Sequence, residues 1–595
     1  MSKLWRIHSH DIERIRALER AARVPPVVAR LLVARGLADP AAAQNFLEPR
    51  LTSLRDPELL PGATAAAEHI LRAIAAKQRI VVYGDYDVDG MTATSLLWQC
   101  LTLLGANVGY YVPHRLEEGY GLNCEALATL AKQGAKLVIT VDCGIASVVE
   151  AQAARELGVD LIITDHHQPG VALPDATAIV HPQLPGHAYP FAGLSGAGVA
   201  FKLAWLVSKQ AAGGPKVNER MRNFLLSALG LAALATVADV VPLVDENRVL
   251  VQHGLAALRD RPVLGIAALM RRAELDRKPR LNAEDIAFAL APRLNAAGRL
   301  GQAQLAVELL MTQSTERADM LAEYIDQLNG SRQSLERSIL LAAGAQAQQQ
   351  FDAGQDSALV LAARGWHPGV IGIVAGRLVD RHHRPVVMVA FDEMGQKPGT
   401  GSARSIPGFD VCRALTACSS HLLTHGGHAA AAGLKIEEQN LEAFRADFCE
   451  HAAENISHEQ RQAEITIDAE VFLSELTLQA VDQIERLAPF GNSNPRPMLC
   501  ATDVTLAEPP KKIGGGERHL SLKLTQHKTT LRGVAFGGGD WAEAIANCPT
   551  PLSVAFRPVI NEFRGRRTVE LHVVDWRASA NAAPPPASLA QPVPR

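Results

Sequence analysis

The sequence predicts an α/β protein with a parallel-sheet domain, a smaller α/β domain joined to it by a long helix, and a C-terminal β-barrel resembling an OB-fold. Three observations predict this. Between 62 and 240, short β-branched apolar runs alternate with helical stretches, the pattern of a parallel sheet covered on both faces. A polar stretch with Leu and Ile at helical spacing follows from about 303 to 350, and a second strand–helix alternation begins near 356. From about 462 to 577 the signal turns to short strands and glycine-rich turns, as in small barrels. The expected division is a helical extension at 1–60, the first α/β domain at 61–300 and a connecting helix at 301–352. The second α/β domain follows at 353–458, the barrel at 459–577 and an Ala- and Pro-rich disordered tail at 578–595.

In order, the extension carries helical patterns at 24–36, with a proline start and glycine stop, and at 41–47. In the first α/β domain, helices are expected at 65–76, 92–104, 125–133 and 147–157. Strands are expected at 80–83, 108–112, 137–141, 161–164 and 178–180. The 303–350 stretch reads as one helix, or as two broken near Gly330. Strands at 358–362 and 385–391 bracket a helix entered through 366–376. Barrel strands are expected at 464–467, 520–524, 531–536, 552–556 and 569–574.

With 48% hydrophobic and 20% charged residues among 595, the chain has ample material for a core. A net charge of −3 argues neither for nor against nucleic acid, because carboxylates at a site can mask local basic patches. The eight cysteines include no C-x-x-C pair, which disfavours structural zinc and disulfides and suits a reducing, cytoplasmic setting. The first residues have no apolar core of signal-peptide length. The apolar run 225–244 contains Asp239 and Pro242, so it is expected to be a buried helix entering a functional loop and not a membrane span.

The chemistry gathers at strand ends. Asp85, Asp87 and Asp89 follow the strand 80–83 at alternate positions, with Gly90 and a helix next. Crowded carboxylates repel one another, and a divalent cation such as Mg²⁺ or Mn²⁺ relieves them through oxygen ligands. A solvated acidic turn is the plainer alternative. A Ca²⁺ loop is disfavoured because the twelfth position from Asp85 is Leu96, not Glu. Asp142 ends the strand 137–141, and Asp165, His166 and His167 end the strand 161–164. In parallel sheets, ligands collect beyond the carboxyl ends of strands, so these groups are expected to converge on one rim. Asp239 is a lone carboxylate in an apolar run, either a helix cap or a further ligand.

Asp85-Tyr86-Asp87-Val88-Asp89-Gly90, Asp142-Cys143-Gly144, Asp165-His166-His167 and Asp239-Val240-Val241-Pro242 together resemble the four motifs of the DHH phosphoesterase superfamily. The likeness is to its branch of bacterial exonucleases specific for single-stranded DNA, and it spans about 20–577. It implies that Asp87, Asp89, Asp142, His166 and Asp239 hold two Mn²⁺ or Mg²⁺ ions, with Asp142 bridging. Asp85 and His167 are implied as catalytic, His167 facing the scissile phosphate.

Four further segments, and basic loops on the barrel, complete the expected site. The glycine-rich loop 190–202 runs into a helix whose amides could take phosphate. The small-residue loop 292–299 resembles the same superfamily pattern, implying that Arg299 touches DNA backbone. Gly401-Ser402-Ala403-Arg404-Ser405 offers open amides, hydroxyls and a guanidinium for a phosphate, and Gly426-Gly427-His428 places imidazole where backbone can approach closely. Together they resemble the DHHA1 domain that accompanies DHH domains, which makes Ser402, Arg404 and Ser405, with Arg115, expected to grip a 5′ end. Basic loops on the barrel (Lys511, Lys512, Arg518, Phe563, Arg564, Arg566 and Arg567) suit single strands through charge and stacking.

The expected function is metal-dependent 5′→3′ hydrolysis of single-stranded DNA to 5′-mononucleotides in recombination and repair. The protein is expected to be a cytoplasmic monomer working beside a single-strand-binding protein and a helicase, without a membrane. Hydrolysis of short oligonucleotides or cyclic dinucleotides, and a catalytically inactive replication factor, are the alternatives.

Overall fold

The computed structural model describes residues 3–579 except 116, 215 and 353. The expected tail at 578–595 lies outside the described residues apart from its first two, and Ala578 ends a strand. Two compact units emerge. One comprises Pro49–Gln462 with Pro489–Asn494; the other comprises the residues up to Glu48, Ala463–Ala488 and those from Pro495 onward.

The first unit opens with a five-stranded parallel sheet. Its strands are β1 (Arg79–Tyr83), β2 (Asn107–Tyr111), β3 (Ala135–Val141), β4 (Asp160–Thr164) and β5 (Ala178–Val180), in the order β2-β1-β3-β4-β5. The strand order reverses between β1 and β3, which opens a crevice at their carboxyl ends. The apolar runs explain the placement: Ile80 to Tyr83 and Leu137 to Val141 are buried throughout, as strands covered on both faces must be. Helices α1 (Val88–Leu103), α2 (Gly196–Ala211), α3 (Glu219–Ala238) and α4 (Asp245–Asp260) build the core behind the sheet. At 20 residues with mean hydropathy 1.5, α3 is long and apolar enough to cross a membrane, but 61% of that stretch is buried in the protein. It packs against α1, α2 and α4, so it is a core helix.

Helix α5 (Thr315–Gln350) has 36 residues and runs straight through Gly330. The break in this region lies at 312–314 instead, where Ser314 caps the helix by accepting from the Arg317 amide. The second sheet contains β6 (Leu359–Arg364), β7 (Val386–Phe391), β8 (Gly399–Arg404), β9 (Leu422–His428) and β10 (Ala431–Ile436) in the order β9-β10-β8-β7-β6. Only β6 and β7 pair parallel. Two expectations fail here. The residues 292–299 are helical, within Ala291–Arg299, because Pro292 is compatible with a first helical turn. The amides of 401–404 are not open, since β8 is an inner strand paired on both sides.

In the other unit, Leu4–Ile7 is a strand that precedes the expected helices and pairs parallel with Glu464–Ile467, outside the barrel. The barrel closes five strands: Leu499–Ile513, His519–Gln526, Thr529–Ala535, Arg566–Ala578 and Leu552–Phe563, which returns to Leu499–Ile513. The sequence pattern misses Leu499–Ile513 because Pro509 and Pro510 interrupt it. The strand tolerates them because its register with the next strand shifts between Glu508 and Lys511, where no proline N–H is needed.

Candidate metal centre and substrate pocket

Tight backbone turns deliver the acids to the crevice. Asp85 follows β1 and is buried; Gly90 packs so closely that an added Cβ would lie 2.6 Å from the Asp85 amide nitrogen. Asp87 caps α1, its Oδ1 accepting from the Gly90 amide at 3.1 Å. Asp89, two residues further, points at the N-terminus of α2 and accepts from the amides of Gly196 (2.7 Å) and Ala197 (2.6 Å). The helix-start amides expected to take phosphate therefore hold a carboxylate. The helix dipole favours that charge equally well. Asp142 ends β3 with φ +62°, a left-handed conformation that Asp tolerates. A Cβ at Gly196 would lie 2.5 Å from Asp142 Oδ1, so only glycine fits there.

Asp165, beyond β4, accepts from the amides of Ile145 (2.9 Å), His166 (2.7 Å) and His167 (3.1 Å), and bonds His167 Nδ1 at 2.7 Å. Asp239 follows α3 at its C-cap position. His166 Nε2 stands 3.1 Å from Asp142 Oδ1, 3.6 Å from Asp239 Oδ2 and 3.7 Å from Asp89 Oδ2. Donor atoms of Asp85, Asp87 and Asp142 lie within 4.8 Å of one another, as do those of Asp89, His166 and Asp239. Asp142 adjoins both groups through His166.

Electrostatically this cluster crowds like charges away from water. Burial, then the neighbouring carboxylates, push Asp89 up to about 7 and Asp239 up to about 8. The same causes push Asp85 and Asp142 well above the carboxylate range. Burial, with His167 beside it, pulls His166 down to about 4. Asp85 Oδ1, Asp142 Oδ1 and His166 Nε2 are buried without a hydrogen-bond partner. Oxygen and imidazole donors that are buried, mutually repelling and unsatisfied fit hard divalent cations. His167 behaves oppositely: burial lowers it, but the Asp165 hydrogen bond and charge raise it to about 9.

The structure brings four of the expected substrate residues together: Arg115, Arg299, Arg404 and Ser402. Burial, then Arg115 and Arg404, pull Arg299 down to about 10, with Asp87 opposing them. Burial, then Arg115, lowers Arg404 as well. Arg115 lies over the Tyr86 ring, 4.7 Å from its centroid. Arg404 donates to Ser402 Oγ at 3.0 Å, and Arg299 donates to the Gly369 carbonyl at 3.2 Å. Two others are placed differently. The Ser405 hydroxyl donates to the Phe409 carbonyl at 2.6 Å, inside its own turn. His428 is exposed and aligned with Arg404 across Ala431 of β10, two strand spacings or about 10 Å away.

Sequence reasoning missed Tyr120 and Arg332. Tyr120 donates to the Asp142 carbonyl (3.1 Å), lies 3.2 Å from His167 Nδ1 and meets the His167 ring edge-on. It follows directly on the segment 114–119 that contains Arg115, so its position was the available signal. Arg332, on α5, adds its charge to the Arg299 environment while held by Glu336 and by Asn329 at 2.6 Å. Its signal was three polar residues at helical spacing, a pattern that most often marks a solvated face.

On the barrel, Lys511 and Lys512 lie on one strand and Arg518 precedes the next. Phe563 is exposed with Arg564 stacked over it at 5.1 Å, and Arg566 begins the following strand. Lys511 pairs with Glu508 at 3.2 Å and Arg567 with Asp482 at 2.6 Å, so part of this charge is balanced internally. Also missed was Phe536, exposed and flanked by His519 (5.5 Å) and His572 (5.0 Å).

A doubly covered parallel sheet with an acid and histidine rim, joined by a long helix to a mixed sheet bearing arginines, defines a phosphoesterase of the DHH class. Residues 79–233 match the DHH family N-terminal domain, 355–454 the DHHA1 domain and 467–575 the RecJ OB domain. The single-stranded-DNA-specific exonuclease RecJ of Bacillus subtilis is 39% identical over 576 residues, covering 97% of this chain and 71% of that protein. The crystal structure of RecJ with Mn²⁺ from Thermus thermophilus matches with TM-score 0.82 and 32% identity, covering 98% of this chain and 81% of that one. The Mg²⁺ complex from the same organism matches with TM-score 0.76 and 30% identity, covering 96% and 78%. The chain belongs to the RecJ family of single-stranded-DNA-specific exonucleases.

Proposed function

We propose that the protein is a 5′→3′ exonuclease that hydrolyses single-stranded DNA to 5′-mononucleotides with two Mn²⁺ or Mg²⁺ ions. One observation carries the reading: buried, unsatisfied carboxylate and imidazole atoms share a rim with Arg115, Arg299 and Arg404. Asp85, Asp87 and Asp142 would hold one ion; Asp89, His166 and Asp239 would hold the other, with Asp142 shared. Bound there, such ions lower the pKa of water and offset phosphate charge.

The chain's own groups do the rest. The two amides at the start of α2 fix Asp89. Asp165 orients His167 and favours its charged form, which suits a phosphate or departing oxygen. Arg299 from the first α/β layer and Arg404 from the second grip the 5′-terminal phosphate, assisted by Ser402. Gripping a terminus sets the cutting frame and makes the enzyme an exonuclease. The barrel binds single strands through Lys512, Arg518, Arg564, Arg566 and Phe563. We place this activity in cytoplasmic recombination and repair, in a monomer supplied with strands by a helicase and a single-strand-binding protein.

The test is digestion of end-labelled single-stranded DNA with Mn²⁺, Mg²⁺ or EDTA, beside blunt duplex. Labelled mononucleotide should leave the 5′-labelled strand first, and neither EDTA samples nor duplex should react. Cleavage confined to di- to pentanucleotides, or binding without cleavage, would overturn the reading.

A further inference from the structure

We propose that Asn492 is a positioning residue for Asp239, an inference that rests on reading Asp239 as a metal ligand. Asp239 has no secondary structure after it to hold it: α3 ends at Ala238, and the chain then crosses 240–243 before α4 starts at Asp245. The next residue, Val240, has φ +58°. A β-branched residue in that left-handed region is strained, and such strain persists only where neighbours over-determine the backbone. The Val240 side chain is exposed and contributes little packing that would explain its conformation.

The loop Pro489–Asn494 supplies the restraint. Asn492 Nδ2 donates to the Val240 carbonyl at 2.6 Å, and the Asn492 carbonyl accepts from the Leu243 amide at 2.8 Å. One residue thus brackets the strained turn from both sides. A Cβ at Gly491 would lie 2.6 Å from Leu243 Cδ1, so the two loops touch without clearance. The clamp is itself rigid. Gly491 and Asn494 exchange backbone hydrogen bonds at 2.9 and 3.2 Å, and buried Asn494 donates to the Pro489 carbonyl at 2.8 Å. On its other side the turn is tied by Asn247, which donates to the carbonyls of Pro242 (3.0 Å) and Gly193 (2.5 Å). Asn247 is fully buried in α4, whereas the Asn492 side-chain bond to Val240 lies at the surface, so that bond can be removed without opening the core and with the Asn492 carbonyl still accepting from Leu243. Asn492 therefore sets where Asp239 stands relative to His166, and with it the occupancy of the ion site those two share.

Mn²⁺ titration calorimetry on EDTA-stripped protein tests this without reference to turnover. Asn492→Ala should weaken one of two sites by about tenfold, the loss typical when a partner that orients a ligand is removed, and leave the other unchanged. Its melting temperature in EDTA should match the parent's. Adding Val240→Gly should restore the weakened site, because glycine adopts φ +58° without support. Asp239→Asn serves as the control. If it loses a site while Asn492→Ala binds like the parent, the positioning role is wrong and the ligand reading stands. If Asp239→Asn keeps both sites, the ligand reading fails and this inference fails with it. A uniform loss at both sites in Asn492→Ala, accompanied by a lower melting temperature and unrelieved by Val240→Gly, would show a merely structural role and also overturn the proposal.

Discussion

Among single side chains, Asp142 carries the most consequence. It is the carboxylate that adjoins both donor groups, and its left-handed backbone accepts Asn as readily as Asp. Asp142→Asn therefore removes charge without changing shape. Cleavage should fall by about a thousandfold or more, equivalent to at least about 4 kcal/mol of barrier. Stability should respond in the opposite sense. Asp89 and Asp239 are raised from 3.8 to about 7 and about 8, so between those values the folded metal-free protein binds more protons than the unfolded chain. Its stability must then fall as pH rises from about 4 to about 8. Asp142→Asn should flatten that slope, and Mn²⁺ should stabilise it less than the parent, whose gain is about 2.7 kcal/mol at a hundredfold excess over Kd. Denaturant titrations at several pH values, with and without Mn²⁺, measure both. A parent slope of the opposite sign would refute the like-charge account. The convergence of these acids and histidines was legible in the sequence because strand ends fix their place. Tyr120, Arg332 and Asn492 were not, because each acts through contacts that only the folded chain creates.

The elements were legible in proportion to how local their causes are. The alternation of 80–83, 108–112, 137–141 and 161–164 with helices became β1 to β4, since buried parallel strands need continuous apolar runs. Leu499–Ile513 escaped because its prolines are tolerated only through a register shift with a neighbour. The stretch 401–405 read as an open phosphate cradle, yet 401–404 belong to the inner strand β8 and offer side chains only, while the Ser405 hydroxyl turns to the Phe409 carbonyl. What remains of the cradle depends on how β8 meets the helix Pro368–His382. At Gly372 an added Cβ would lie 2.7 Å from Ser402 Oγ and 2.9 Å from Arg404 Nη2, so helix and strand together fix the guanidinium. Arg404→Ala should erase most of the preference for 5′-phosphorylated over 5′-hydroxyl strands, about 10- to 100-fold, as for one charge-assisted hydrogen bond of about 1.5–3 kcal/mol. The loss should fall on KM more than on kcat, because the terminal phosphate is not the reacting one. Gly372→Ala should reproduce part of it by displacing the same group. Competition assays between the two strand types read the ratio directly, and an unchanged ratio in Arg404→Ala would place the terminus elsewhere.

Across the whole molecule, the division into units does not follow the chain. The described residues up to Glu48 join the barrel's unit, and Pro489–Asn494 joins the unit with the acid cluster although its neighbours along the chain do not. No sequence pattern announces such exchanges, because they record where segments pack and not what they are. They also decide how strand binding by the barrel can be tested. A chain ended at 462 would lose Pro489–Asn494 together with the barrel, so a defect could arise at either place. Surface substitutions separate the two. Lys512→Ala with Arg566→Ala removes two cations that form no ion pair among the described residues, and Phe536→Ala removes an exposed ring flanked by His519 and His572. If both cations meet phosphates, the slope of log affinity against log salt should shrink by about 0.7 for each, the value for single strands. Loss of the Phe536 ring should add a salt-independent penalty of about 1–3 kcal/mol if a base stacks there. Both effects should appear on long strands, while strands of a few nucleotides keep the parent's cleavage rate. Equal losses on short and long strands would instead place these residues' influence at the metal centre, and an unchanged salt slope would remove the barrel from the DNA path.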